Sequence, residues 1–214
     1  MSPRIIDISP LVSERIGVFP GDVPYHRQAS LSIAHGDNID LSSIQATLHF
    51  GAHADAPSHY VKDGAGIAAR PLEPYFGVCQ VIEVAAPRAA RLTPDSLTAP
   101  IEAPRILLRT GTFPDPEHFN EDFASLSPAL VDFLHAQGVL LVGIDTPSID
   151  PCRDPVLESH QAVARHDMAI LEGLVLSHVP AGFYTLVALP LRLEGADASP
   201  VRAVLLAASS DFPA

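Results

Sequence analysis

Three imidazoles and a carboxylate fall within eleven residues in the run His49-Phe-Gly-Ala-His53-Ala-Asp55-Ala-Pro-Ser-His59. Neutral imidazole and ionised carboxylate are donors that suit zinc, manganese and iron. Without a cation, such crowded imidazoles would have to stay neutral or spread apart, because neighbouring imidazoliums repel. The chemistry this pattern points to is activation of water by a divalent metal. A second group of candidates lies further along, at His160, His166 and Glu172. Glu172 stands between Met168-Ala-Ile-Leu171 and Gly173-Leu-Val-Leu176, a carboxylate in an apolar run. Desolvating an unpaired charge is costly, so Glu172 needs a metal or a basic partner such as Arg165 or Arg192. The remaining histidines, His26, His35, His118, His135 and His178, lie in polar or turn-like stretches and read as surface residues.

The elements that must position these groups follow from periodicity and breakers. Residues 43–50 alternate, with Ile44, Ala46, Leu48 and Phe50 on one face and Ser43, Gln45, Thr47 and His49 on the other. That is the period of a strand with its even face in the core. Continued past Phe50, the polar odd face would carry His49, His53, Asp55 and His59, with Gly51 and Pro57 bending the path. A helix would also align His49 with His53, but Gly51 and Pro57 argue against one there. Gly51 lets the backbone approach a metal closely. Further strands are predicted over residues 4–8, 78–84, 105–110, 139–144, 183–193 and 201–206. Helices are predicted over 127–137, with Ser127 as cap, Pro128 in the first turn and Gly138 as terminator, and over 156 to about 167. Asp145, before Pro147, reads as a turn-capping residue.

A chain of 214 residues suits one domain, 1–214, with one substantial core. At 47% hydrophobic and 18% charged, the composition is globular. Strands outnumber helices, so the expected class is α+β, a strand-rich sheet or barrel with few flanking helices. The net charge of -12 argues against nucleic acid as a partner and fits a small-molecule ligand. There is no membrane-spanning apolar run and no export signal, which makes the cytoplasm the expected compartment. Cys79 and Cys152 are too few for a disulfide framework and are expected to be reduced and structural.

The run His49-x-Gly51-x-His53-x-Asp55-x-Pro57-x-His59 resembles the signature of the metal-dependent cyclase-like hydrolases, and within them the kynurenine formamidase (arylformamidase) branch. The likeness extends to Asp7-Ile-Ser-Pro10, Phe19-Pro-Gly-Asp22, Gly143-Ile-Asp-Thr-Pro-Ser148, Met168-Ala-Ile-Leu-Glu-Gly173, Ala188-Leu-Pro-Leu191 and Asp197-Ala-Ser-Pro-Val-Arg-Ala203. The resemblance implies a swivelling β/β/α-like fold, a homodimer and a site for two divalent ions, zinc first and manganese as the alternative. It gives one ion to His49, His53 and Asp55, with Asp55 bridging to a second held by His160, and Glu172 contacting one or both. It leaves His59 as acid/base and Phe19 lining the pocket of an aryl formamide substrate. Two positions depart from the family pattern: Ala52 stands where Thr is frequent, and Phe19 stands where Trp is common, in a chain that has no Trp.

Three competing readings remain open on sequence. One is a related amide hydrolase of the isatin-opening kind. Another is a non-haem iron oxygenase using His53, Asp55 and His160. That reading leaves His49, His59 and Glu172 without a role. The third is a closed, non-catalytic metal site, in which a spare histidine at 59 would have no use.

Overall fold

A computed structural model describes residues 4–207. In chain order its strands are β1 (Arg4–Asp7), β2 (His26–Leu31), β3 (Leu41–Gln45), β4 (His53–Asp55), β5 (Phe76–Glu83), β6 (Arg91–Leu92), β7 (Arg105–Arg109) and β8 (Ser125–Leu126). Helix α1 (Pro128–Ala136), β9 (Leu141–Ile144), helix α2 (Glu158–Arg165), β10 (Ala169–Glu172), β11 (Gly182–Val187), β12 (Ala198–Pro200) and β13 (Val204–Ala207) follow.

Nine strands form one mixed sheet in the order β1-β13-β11-β5-β7-β9-β10-β4-β12. Its centre, β5-β7-β9-β10, is parallel, and the strands outside it pair antiparallel. Parallel strands are covered on both faces, which explains why Ile106-Leu-Leu108 and Leu141-Val142 read as unbroken apolar runs. On one face Ile106, Leu108, Val142, Ile144 and Ile170 pack against Leu130 and Leu134 of α1 and Val163 of α2. On the other, Leu107, Leu141 and Leu171 share a core with Ile6 of β1, Ala54 of β4, Leu186 and Leu205. Strands from near both ends of the order contribute to that second core, so the sheet curls around it. The mixed α+β class with a strand-rich curled core is the class expected. Helix α1 begins as predicted, with Ser127 Oγ accepting the backbone N–H of Leu130 at 3.2 Å.

Residues 43–50 behave differently from the expectation. Only Leu41–Gln45 is strand, and it pairs with β2 alone, in a two-stranded ribbon outside the main sheet. Ile44 is 62% exposed, so the even-numbered residues of β3 do not face a core. Alternation reports a two-faced strand; it does not say that a second layer covers the apolar face. The real core strand of this region is β4, which contains His53 and Asp55. It is three residues long, too short to show a period. Strand β11 stops at Val187, short of the expected 193, ahead of Pro190, which has no N–H to donate to a ladder.

Two glycines bring the segments of the site together. Gly51 has φ +57 and Gly173 has φ +64. A Cβ on Gly173 would lie 2.0 Å from the Gly51 carbonyl oxygen. Gly173→Ala therefore combines left-handed strain of about 1–3 kcal/mol with a backbone clash. The expected outcome is a melting temperature lower by several degrees or more, read by calorimetry; an unchanged value would mean the two chains can separate freely there.

Candidate metal centre

Strand β4 lies between β10 and β12, with His53 directly opposite Glu172 in the antiparallel register. Cross-strand partners point to the same face. Ala54 points into the core inside the curl, which turns His53 and Asp55 to the opposite face, the one covered by the helices. Helix α2 lowers His160 onto that face. His49 enters from the bend before Gly51, and His59 from the short 3-10 turn Pro57–His59. His53, Asp55, His160 and Glu172 are each only 2–3% exposed.

For His53 the hydrogen bonds define which ring nitrogen is bare. His53 Nδ1 lies 3.0 Å from the Gly51 carbonyl oxygen, an acceptor that requires the proton on Nδ1. Its Nε2 then directs a lone pair toward Glu172 Oε2 at 3.3 Å and Asp55 Oδ1 at 3.5 Å. Neither His53 Nε2 nor Asp55 Oδ1 has a hydrogen-bond partner, although both are buried. His49 Nδ1 stands 3.0 Å from the same Asp55 Oδ1, without hydrogen-bond alignment, while its Nε2 lies 3.0 Å from Asp197 Oδ2. His160 Nε2 is 3.3 Å from Asp55 Oδ2 and 3.5 Å from Glu172 Oε1. Asp55 thus offers one oxygen to His49 and His53 and the other to His160, and Glu172 divides its oxygens between His53 and His160.

Buried lone pairs pointed at buried carboxylates repel unless positive charge lies among them. Burial alone would raise Asp55, yet His160 and His49 hold its carboxyl well below the usual range. Burial and the charge of Asp55 also push Glu172 up, but His160 and His53 bring it below its ordinary value. Burial disfavours charge on His49, and Asp55 and Asp197 overcome it, raising the ring to about 9. His160 is likewise raised well above 6.5, against burial, by Asp150, Asp55 and Glu172. The cluster demands cations, and the residues fit a divalent metal by donor type and by their orphaned atoms. Donor atoms of His49, His53 and Asp55, and of Asp55, His59 and His160, fall within 4.8 Å of one another.

A cavity of about 600 Å³ opens over these donors. Phe19 is on its wall, edge-on to Phe119 at 5.4 Å, and Phe119 meets Phe113 at 5.6 Å. His59 lines it too, with Nδ1 3.6 Å from Asp197 Oδ2. No lysine or arginine is among the lining residues, whereas Asp22, Asp154 and Asp197 are.

The structure therefore brings together His49, His53, Asp55, His59, His160 and Glu172, with Phe19 nearby. It separates His166, whose Nε2 lies 2.7 Å from Asp132 and whose ring stacks on His135 at 4.0 Å. Glu172 is met by imidazoles and by the Ile149 N–H at 2.7 Å rather than by an arginine, and Arg165 reaches Asp132 instead. Asp145 accepts the N–H groups of Thr110 and Gly111, in the loop after β7, rather than capping the turn before Pro147 as expected. Cys79 is buried and Cys152 partly so; both are free thiols, and burial pushes Cys79 up to about 12. Sequence reasoning missed Asp150, Asp197, Phe113 and Phe119. The only signal for the two aspartates was their place in, or two residues after, runs already marked by resemblance.

Comparison with known proteins gives the chain's family and fold. The Cyclase family profile matches residues 6–151. The kynurenine formamidase of Bordetella pertussis (strain Tohama I) is 46% identical over 205 residues, 94% of this chain and 97% of that protein. The kynurenine formamidase of Bordetella petrii is 43% identical over 208 residues, with the same coverage. Among solved structures, one described as a potential metal-dependent hydrolase with cyclase activity superposes with TM-score 0.82 at 27% identity, covering 96% of this chain and 98% of the other. Isatin hydrolase A from Labrenzia aggregata has TM-score 0.80 at 22% identity over 95% and 93% of the two chains, a likeness of fold alone.

The electrostatics give a pH test with a definite sign. In the metal-free fold His49 is raised from 6.5 to about 9. The stability its charged ring contributes is complete below pH 6.5 and is lost as pH rises through about 9. Cation binding requires the bare ring and runs the other way. The gain in melting temperature on adding zinc should be smallest near pH 6 and should grow toward pH 9, measured by calorimetry against a chelated control. A gain independent of pH would remove His49 from the ligand set.

Proposed function

The chain belongs to the Cyclase family, and from that premise we propose that it is a metal-dependent kynurenine formamidase, an amidohydrolase that converts N-formyl-L-kynurenine to L-kynurenine and formate in tryptophan degradation. The observation that carries the reading is the 46% identity to a kynurenine formamidase across nearly the whole chain. The likeness to isatin hydrolases is of fold alone and supports no separate substrate.

Two divalent ions, zinc before manganese, would be held by His49, His53 and Asp55 in one position and by Asp55 and His160 in the other, with Glu172 touching both. Bound there, they would supply the Lewis acidity that brings the pKa of water from ~15.7 to about 7 and polarises the formyl oxygen. Asp55 and Glu172 are committed to the rings around them, so neither is free to shuttle protons. His59 takes that role. Burial outweighs the nearby carboxylates and holds His59 below 6.5, so its ring is neutral at pH 7 and can accept a proton from the attacking water. Returning that proton to the anilide nitrogen lets the amine leave neutral. Phe19, with Phe119 behind it, offers an aromatic face to the arylamide ring.

The proposal extends to a cytoplasmic homodimer. No helix among the described residues is long and apolar enough to cross a membrane. Ile33, Leu41 and Ile44, on or beside the β2–β3 ribbon, are more than half exposed, the kind of surface that a second subunit covers.

His59→Ala should retain both ions and lose turnover by about 10²–10⁴-fold, the usual contribution of a positioned acid/base. Asp55→Ala should lose metal together with activity. Elemental analysis and rates on N-formylkynurenine decide both. Loss of an ion in His59→Ala would make that residue a ligand, and full metal with full turnover in Asp55→Ala would end the assignment.

A further inference from the structure

We infer that Asp150 is a positioning residue: its carboxylate keeps the proton of His160 on Nδ1 and so turns the Nε2 lone pair into the metal centre. The inference rests on the metal reading above and adds a residue that touches neither ion nor substrate.

Asp150 is fully buried. Its Oδ2 lies 2.8 Å from His160 Nδ1 and accepts the backbone N–H of the same residue at 2.9 Å and that of Ser159 at 3.0 Å. Its Oδ1 lies 3.0 Å from the Ser159 nitrogen and accepts Arg91 Nη1 at 3.2 Å. An ionised carboxylate only accepts, so the proton shared with the ring belongs to Nδ1. Nε2 faces two further carboxylates, Asp55 Oδ2 at 3.3 Å and Glu172 Oε1 at 3.5 Å, so when it yields its place to a cation the neutral ring keeps the proton on Nδ1.

Helix capping alone does not explain this arrangement. A cap needs one oxygen on a backbone N–H of the first turn. Asp150 comes from the loop after β9, outside the helix, and grips the backbone and the ring of one residue at once, which fixes both the position and the rotation of His160. Arg91, which also pairs with Asp154 and Glu158, supports it from behind. The neighbouring residue completes the brace, since the Ile149 N–H donates to Glu172 Oε1 at 2.7 Å. Consecutive residues of one loop therefore hold His160 and Glu172. This also accounts for the tail of the run Gly143-Ile-Asp-Thr-Pro-Ser-Ile-Asp150, which the reaction itself leaves without a role.

Asp150→Asn separates positioning from folding. The amide oxygen, in the place of Oδ2, keeps the backbone bonds of Ser159 and His160 and still faces Nδ1. As a neutral acceptor it holds the Nδ1 proton less firmly than a carboxylate does, so the ring proton moves toward Nε2, where Asp55 or Glu172 accepts it and it blocks a cation. Titration of metal-stripped protein with zinc, in competition with a chromophoric chelator, should give two tight equivalents in the wild type. In Asp150→Asn one equivalent should stay tight and the other weaken by 10–100-fold, with the metal-free melting temperature close to wild type. A folded Asp150→Asn protein that binds both equivalents at wild-type affinity overturns the inference and leaves the metal reading intact. A wild type that takes up no zinc overturns both. Should the variant not fold, nitrogen-15 correlation spectra of the zinc-loaded wild type decide. A proton on His160 Nδ1 supports the inference, and one on Nε2 overturns it.

Discussion

Buried imidazole lone pairs aimed at buried carboxylates are the constraint on which the rest of this structure depends. His53 and His160 each turn Nε2 toward Asp55 and Glu172 at 3.3–3.5 Å, in a place that water scarcely reaches, and that of His53 has no hydrogen-bond partner. Two carboxylates cannot sit side by side there without compensation, because removing charge from water is costly and like charges repel strongly at low dielectric. Protons on His49 and His160 provide partial compensation in the metal-free fold. A divalent cation provides it while leaving the rings neutral, which is the state in which they are ligands.

The fold serves this constraint through opposite ends of the chain order. Strand β4 supplies His53 and Asp55 with fixed spacing, and the antiparallel register sets Glu172 beside them. Helix α2, packed on the same face, brings His160 from above. Gly173 allows its backbone to approach that of Gly51 more closely than any Cβ would permit, and the Gly51 carbonyl held in that contact is the one that fixes the His53 tautomer. Each ring of the set is thus held by an acceptor outside the cluster: a carbonyl for His53, Asp197 for His49 and Asp150 for His160. Over this floor stand an aromatic wall and a lining without lysine or arginine.

Much of the site was legible in the sequence, because ligand chemistry is local. Four donors at odd-numbered positions around Gly51 and Pro57 announce themselves without knowledge of the fold, and Glu172 stood out as a carboxylate in an apolar run. The architecture around them was less legible. The alternation of residues 43–50 was genuine, yet it belongs to an exposed ribbon, since periodicity cannot tell what lies against a face. Strand β4 is too short to show a period of its own. His166 was grouped with His160, although six residues on a helix of 3.6 per turn place the two on different sides. Asp150 and Asp197 escaped because an aspartate in a loop looks like any turn or cap residue until its partner is known. The α+β class and the central strands were readable because continuous apolar runs need cover on both faces.

The central claim is most directly tested by counting metal in the protein as it is made. Chain purified without chelator from cells supplied with zinc should carry two equivalents, and replacing Asp55 and Glu172 together by their amides should bring that to zero while the fold persists by circular dichroism. Metal-free wild-type protein that hydrolyses N-formylkynurenine at the full rate would contradict the account.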